Sequence, residues 1–230
     1  MTEAPAGNTR VCGTGPDGDP GSRGVHQVGQ SMDEGLRWFG NHFFRVFLLP
    51  FSALGVSPNL ITCMGIGAAL TAGWLLSTGR VAFAGAVFVV SGVLDLVDGF
   101  VAKKLDRVSA FGSFLDSFSD RISDAAIFTG LMVYFLGDNQ GLYAGLALAI
   151  MVLSFLISYV RAKAESLDIE CKAGLMARAP RIIALSVGFF FNGLSPWLLR
   201  GVMWLLALLL LETLIERFVH VWKELSRPGA

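Results

Sequence analysis

Four aspartates lie at helical spacings between two apolar runs of the sequence. Asp95 and Asp98 are three residues apart near the end of one run, and Asp116 and Asp120 are four apart near the start of the next. Spacings of three and four place side chains on one face of a helix. If the two runs form antiparallel helices joined by a short turn, the four carboxylates lie together at a similar depth.

Carboxylates crowded in this way cannot all remain ionised in a low-dielectric site unless cations neutralise them. Two divalent ions with oxygen ligands would satisfy the cluster, and Mg²⁺ or Mn²⁺ suits these donors. A pair of metals indicates phosphoryl-type chemistry, in which the ions bind a pyrophosphate and stabilise developing negative charge. Gly99 and Gly112 fit this interpretation, because a missing side chain lets a phosphate approach the backbone closely. A proton or ion pathway is the alternative use of such acids.

Two further aspartates have plainer interpretations. Asp106 lies in the turn between the runs and is expected to be a solvated helix cap. Asp124 lies one turn beyond Asp120, and we expect it to bond a neighbouring polar group such as Ser123 or Arg121 rather than a metal.

The elements that must position these residues are membrane helices. Of 230 residues, 53% are hydrophobic and 16% are charged, a composition outside the usual range for soluble domains. The 18 basic and 18 acidic residues balance, so no global basic field favours a nucleic-acid partner. The sequence therefore predicts an all-α, polytopic membrane protein.

Six apolar segments have about the length, 17 to 25 residues, that a bilayer-spanning helix needs. They are 59–77, 81–101, 112–136, 142–163, 179–197 and 200–220. Ser57 followed by Pro58 predicts the start of the first segment. Small residues in GIGAALTAG, residues 65–73, predict close helix packing, either within the chain or between subunits.

The ends of the chain have a different composition. Residues 1–30 are rich in Gly, Pro and small polar residues and are predicted to be disordered. Residues 31–50 combine aromatic and aliphatic residues with basic ones, which predicts an amphipathic helix in the membrane interface that ends at Pro50. The membrane domain is expected to cover 31–225, with 226–230 as a short tail.

Basic residues alternate between the two sets of turns. One set contains only Arg80 and Arg200 as basic residues, whereas the other is rich in Lys and Arg. The positive-inside rule then predicts a cell-membrane protein whose aspartate-rich turn and both termini face the cytoplasm. A second basic cluster on this side is either ordinary flanking charge or a pocket for an acceptor that carries its own phosphate. Its members are Arg161, Lys163, Arg178 and Arg181.

The segment from Asp95 to Asp120 also carries a long motif. It reads DLVDGFVAK, followed after eight residues by GSFLDSFSD, and it resembles the signature of the CDP-alcohol phosphotransferases, D-x2-D-G-x2-A-R-x8-G-x3-D-x3-D. Every spacing matches, and Lys103 replaces the arginine of the family. Lysine is a compact charge where arginine forks onto a phosphate, so this departure concerns the nucleotide contact rather than the reaction class.

The resemblance implies six transmembrane helices after an interfacial helix, commonly in a homodimer. It also implies transfer of a phosphatidyl unit from a CDP-linked lipid in the membrane to a hydroxyl acceptor, with release of CMP. By similarity, Asp95, Asp98 and Asp116 hold two metals, and Asp120 is both a ligand and the general base toward the hydroxyl. The residues that would line the CDP site are Gly99, Ala102, Lys103 and Gly112.

A narrower resemblance, to one branch of the family, indicates the acceptor. SYVRAKAES, GLMARAPR and LDSFSDRISDAAIF look like the branch that makes phosphatidylinositol phosphate, or archaetidylinositol phosphate, from inositol 1-phosphate. By that resemblance the second basic cluster binds the acceptor's phosphate. Phosphatidylglycerophosphate synthases, which use glycerol 3-phosphate, are the nearest alternative. An ion- or proton-coupled transporter is the non-enzyme alternative, although the chain has no internal repeat or paired broken helices.

Overall fold

A computed structural model describes residues 57–104, 109–169 and 178–226, without the side chains of Lys103, Lys104, Arg178 and Ala179. The predicted disordered tail 1–30, interfacial helix 31–50 and Asp106 lie outside the described residues, as does 227–230 of the C-terminal tail. All regular structure within the described ranges is helical, which confirms the all-α prediction. The helices are α1 Pro58–Ser77, α2 Val81–Lys104, α3 Ala110–Gly137, α4 Gly141–Glu165, α5 Arg178–Phe191 and α6 Pro196–Leu225.

Local sequence explains where the two helices beside the aspartates begin. Helix α1 starts at Pro58 as predicted, after Ser57 in an extended conformation, although the Ser57 hydroxyl makes no capping bond. Helix α3 starts after Ser109, whose hydroxyl accepts a hydrogen bond of 3.0 Å from the Gly112 N–H. A side-chain oxygen at this position satisfies one of the donors that the first helical turn leaves unpaired.

The apolar run predicted as one span at 179–197 is interrupted. Helix α5 ends at Phe191, and α6 begins at Pro196. Proline has no N–H and its ring clashes with the preceding turn inside a helix, so it fits only in the first turn of a new one. The turn before it is closed by bonds from the Leu194 and Ser195 N–H groups to the Phe191 carbonyl. The last helix is therefore longer at its start than the predicted 200–220.

The protein is integral to the membrane. Four helices are long and apolar enough to cross a bilayer: α1, α2 up to Ala102, α4 and α6. Helix α3 carries the site's charged residues, and the apolar part of α5 spans only Pro180–Phe191. The count of six membrane spans therefore stays a prediction. Large apolar side chains such as Phe83, Ile183 and Leu208 are exposed, as expected where lipid rather than water surrounds the helices.

The backbones of α1 and α3 touch at a pair of glycines. A Cβ built on Gly73 would collide with the carbonyl group of Ala126, and one built on Gly130 would collide with the carbonyl group of Gly73. Nearer the site, the Ser91 hydroxyl of α2 donates to the Gly65 carbonyl of α1 at 2.9 Å. Gly65 and Gly73 thus pack within the chain, one of the two possibilities that the sequence leaves open for the small residues of 65–73. Helix α1 is held against both helices that carry the aspartates.

Candidate active site

Three of the four predicted carboxylates converge. Asp95 near the end of α2 and Asp116 and Asp120 near the start of α3 each place one carboxylate oxygen within 4.8 Å of the others. Asp95 and Asp120 are partly buried and Asp116 is exposed. An all-oxygen set of three negative groups at this separation fits hard divalent cations such as Mg²⁺ or Mn²⁺. Among the described residues, this cluster is the group of acids that could hold a metal ion.

Asp98 lies beside this cluster in a more enclosed position. It is only 3% exposed, and its Oδ2 accepts a hydrogen bond of 2.5 Å from the Thr62 hydroxyl of α1. The negative charges of Asp95 and Asp116 lie close enough to repel a negative charge on Asp98. Asp98 is not one of the three residues whose oxygens converge, but it lines the same cavity as Asp116.

That cavity, of about 250 Å³, lies between the start of α1, the end of α2 and the start of α3. Three of the four residues predicted for the CDP site line it, namely Gly99, Ala102 and Gly112; the side chain of the fourth, Lys103, lies outside the described residues. A Cβ on Gly99 would meet nothing within 4 Å. The cavity therefore brings small side chains and carboxylates to one surface. A phosphate could approach the backbone closely there if a metal ion bridged it to the carboxylates.

Sequence reasoning missed the polar wall that α1 contributes. Asn59 and Thr62 line the cavity, together with Ser109 and Ser113 at the start of α3. Asn59 and Thr62 are three residues apart, so they share a helical face. Two polar side chains on one face at the start of an apolar span were the signal that could have identified them.

The second basic cluster does not form one exposed patch in the described structure. Arg161 is exposed on α4, and its Nε lies 2.8 Å from Glu165 Oε1. Lys163 is also exposed, whereas Arg181 is only 9% exposed. The side chain of Arg178 lies outside the described residues. Arg161 and Arg181 thus occupy very different environments, a difference that charge counting along the sequence could not reveal.

The expected partners of Asp124 were wrong. Asp124 pairs with Arg181, whose Nη1 lies 2.9 Å from Asp124 Oδ2, while Arg121 Nη1 lies 3.6 Å from Asp120 Oδ2. The Ser123 hydroxyl is buried without a hydrogen-bond partner in the described part of the chain. Because Asp124 and Arg181 are far apart in sequence, only the packing of α3 against α5 brings them together. The sequence offered one signal: Asp124 lies within an apolar segment, and a charge inside an apolar bundle needs a partner of opposite charge.

Comparison with characterised proteins extends this picture. A family model for CDP-alcohol phosphatidyltransferase matches residues 55–214. Archaetidylinositol phosphate synthase of Methanothermobacter thermautotrophicus is 38% identical over 184 residues, covering 79% of this chain and 92% of that protein. Phosphatidylinositol phosphate synthase of Streptomyces avermitilis is 33% identical over 231 residues, covering 94% of this chain and 93% of that protein.

Solved structures of one enzyme show the same fold. Mycobacterium tuberculosis phosphatidylinositol phosphate synthase with CDP-DAG bound has a TM-score of 0.70 and 27% identity, with coverage of 80% of this chain and 94% of that chain. The same enzyme in complex with manganese and citrate has a TM-score of 0.69 and 27% identity, with coverage of 80% and 89%. With a family model matched across the whole candidate site, the chain belongs to the CDP-alcohol phosphatidyltransferase family and is a membrane-integral phosphotransferase.

Proposed function

We propose that the protein transfers a phosphatidyl or archaetidyl group from a CDP-linked lipid to inositol 1-phosphate, with release of CMP. The observation that carries this proposal is the carboxylate cluster of Asp95, Asp116 and Asp120, of which Asp116 lines a cavity walled by Gly99 and Gly112. The relatives support the acceptor, because both are named for products that contain an inositol phosphate. Family membership removes the transporter alternative.

The carboxylates would hold two divalent ions, with Asp95, Asp98, Asp116 and Asp120 as ligands. When bound, such ions neutralise the pyrophosphate and stabilise the negative charge that develops on the leaving CMP. The chain's own contribution is to fix the ligands: Thr62 holds Asp98 at one oxygen, and the helical spacing of Asp116 and Asp120 aims both at Asp95. The manganese complex of the mycobacterial enzyme supports this metal class.

Asp120 is suited to act as the general base. It is only partly buried, so an acceptor hydroxyl can approach it. The carboxylate would take the hydroxyl proton while the hydroxyl oxygen bonds to the phosphorus on the lipid side and the bond from that phosphorus to the CMP oxygen breaks. Gly99 and Gly112 would let the nucleotide phosphates approach the helix backbones closely, because neither has a side chain, and Ala102 and Lys103 would complete that site.

The membrane setting is part of the proposal. The charge distribution of the turns supports a site, and both termini, on the cytoplasmic side. The lipid donor would then enter from the membrane and the soluble acceptor from the cytoplasm. Assembly as a homodimer, which the family resemblance implies, stays a prediction.

The test is CMP release by the purified protein in detergent with CDP-diacylglycerol and Mg²⁺. The acceptors to compare are inositol 1-phosphate, glycerol 3-phosphate, free inositol and serine. We expect turnover only with inositol 1-phosphate, and none after Mg²⁺ is removed with a chelator. Preference for glycerol 3-phosphate would keep the chemistry and replace the acceptor, while absence of CMP release with every acceptor and metal would contradict the proposal.

A further inference from the structure

Arg181 is a buried cation that pairs with Asp124, the residue one helical turn along α3 from the proposed general base Asp120. Its Nη1 donates to Asp124 Oδ2 at 2.9 Å and to the Ser154 hydroxyl at 2.5 Å. Asp124 and Ser154 are themselves 8% and 3% exposed. Asp124 follows Asp120 by four residues on α3. The network of Asp124, Ser154 and Arg181 therefore lies next to the carboxylate cluster along this helix. Three helices, α3, α4 and α5, each contribute one of its members.

Stability alone is a weak reason for such a network. Replacing a buried ion pair with apolar residues of similar volume is often neutral or stabilising, because desolvation of the charges offsets their attraction. Ionisable groups within membrane proteins are costly and mark functional sites by default. Arg181 and Asp124 are therefore better explained by something that Arg181 binds.

The bonding of the guanidinium group shows which part of Arg181 remains available. Both hydrogens of Nη1 are accounted for by Asp124 and Ser154. The Nε–H is buried and has no hydrogen-bond partner among the described residues. A buried donor without a partner is unfavourable, and Nε and Nη2 together form the planar edge that binds an oxyanion through two parallel hydrogen bonds. Asp124 and Ser154 thus bond Nη1 and leave the Nε edge of the guanidinium group for another ligand.

We propose that Asp124 and Ser154 are positioning residues, which fix Nη1 of Arg181 so that the Nε edge of its guanidinium binds the phosphate of the acceptor. This inference rests on the proposed function, since it assigns the phosphate to the acceptor substrate. Ser154 contributes orientation without charge, and Asp124 contributes both orientation and neutralisation of Arg181 while the phosphate is absent. Exposed Arg161, paired with Glu165 at the surface, has no comparable constraint.

Orientation and charge predict opposite effects at Asp124, which makes the proposal testable. If Asp124 acted only through its charge, its removal would strengthen the binding of an anion near Arg181. If it acts by orientation, its removal weakens anion binding, and asparagine restores most of the effect because its amide oxygen still accepts from Nη1. Ser154→Ala isolates orientation, since it changes no charge.

The experiment measures CMP release at varied acceptor and at varied CDP-lipid for the wild type and for Ser154→Ala, Asp124→Ala, Asp124→Asn and Arg181→Lys. We expect the KM for inositol 1-phosphate to rise about tenfold in Asp124→Ala and Arg181→Lys and about threefold to fivefold in Ser154→Ala. The KM for CDP-lipid should stay within about twofold of the wild type. In Asp124→Asn, the KM for inositol 1-phosphate should be within about threefold of the wild-type value. Asp138→Ala, at the exposed far end of α3, is the matched control and should behave as the wild type.

Asp124→Ala leaves a buried arginine unpaired and can prevent folding, so Ser154→Ala and Asp124→Asn keep the test decisive. An unchanged acceptor KM in Ser154→Ala, a lower acceptor KM in Asp124→Asn, or parallel increases in both KM values would overturn the positioning role. If the wild type releases no CMP with inositol 1-phosphate, the proposed function fails, and the anion site is tested by binding. Inorganic phosphate should then raise the thermal unfolding midpoint of the wild type more than that of Ser154→Ala and least in Arg181→Lys, and no rise in the wild type would overturn the site as well.

Discussion

At the residue scale, the sequence predicts the positions of the aspartates better than it predicts the residues that bond to them. The spacings of Asp95, Asp116 and Asp120 are local, and the two helices that carry them are joined by a short segment, so their convergence could be predicted from the sequence. The partner of Asp98 could not be predicted in this way, because Thr62 lies on another helix, 36 residues away in sequence. The bond between Asp124 and Arg181 spans 57 residues and depends on packing that no local pattern encodes.

Asp120→Asn tests the general base directly. The amide matches the carboxylate in size but cannot take a proton, so we expect turnover to fall at least about a hundredfold while some binding of the CDP-lipid is kept. Turnover is measured as CMP release and binding as stabilisation of the protein by CDP-diacylglycerol. Asp138→Asn, at the exposed residue that follows the same helix, is the matched control. Loss of donor binding as large as the loss of turnover would contradict a base role for Asp120.

Thr62→Val tests the support of Asp98. Valine keeps the shape of threonine and removes the hydroxyl that donates to Asp98 Oδ2. Groups that orient a metal ligand typically matter by 10- to 100-fold in metal affinity or activity, so we expect about a tenfold rise in the Mg²⁺ concentration that gives half-maximal CMP release. Thr71→Val is the matched control, because the exposed Thr71 hydroxyl of α1 donates only to the Gly67 carbonyl. Equal Mg²⁺ dependence in both variants would remove Thr62 from the site.

At the element scale, the crossing of α1 over α3 sets the position of the site's polar wall. Gly73 and Gly130 let the two backbones touch, and the same α1 carries Asn59 and Thr62 at its other end. The sequence predicts close packing from small residues but not which helix is the neighbour. It also predicts a continuous span at 179–197, because hydropathy averages over the turn before Pro196 that separates α5 from α6.

Gly130→Ala tests this crossing. Its Cβ would collide with the Gly73 backbone rather than with a flexible side chain, so the helices must separate, and overpacking of this kind costs about 1 to 3 kcal/mol. We expect a lower thermal unfolding midpoint in detergent and a proportionate loss of CMP release. Gly67→Ala on α1 is the control, since its Cβ would meet nothing within 4 Å. A midpoint for Gly130→Ala equal to that of Gly67→Ala would show that the crossing is not tight.

At the scale of the whole molecule, orientation in the membrane connects the site to its substrates. The turn between α3 and α4 contains Asp138 and Asn139 but no Lys or Arg, whereas the end of α2 and the segment that follows it contain Lys103, Lys104 and Arg107. The positive-inside rule therefore assigns these two segments to opposite sides of the membrane. A phosphorylated acceptor cannot cross the bilayer unaided, so the side of the aspartate cluster decides which compartment must supply it.

Single-cysteine labelling can determine this orientation. In a background with Cys12, Cys63 and Cys171 replaced by serine, we introduce Asn139→Cys in the turn before α4 or Ser226→Cys after α6. A membrane-impermeant maleimide should label Asn139→Cys in intact cells and Ser226→Cys only after permeabilisation, because the two ends of the bundle face opposite compartments. Retained CMP release by each variant shows that the fold is intact. The reverse labelling pattern would place the carboxylate cluster outside the cytoplasm, where the acceptor and the CDP-lipid would both need another source.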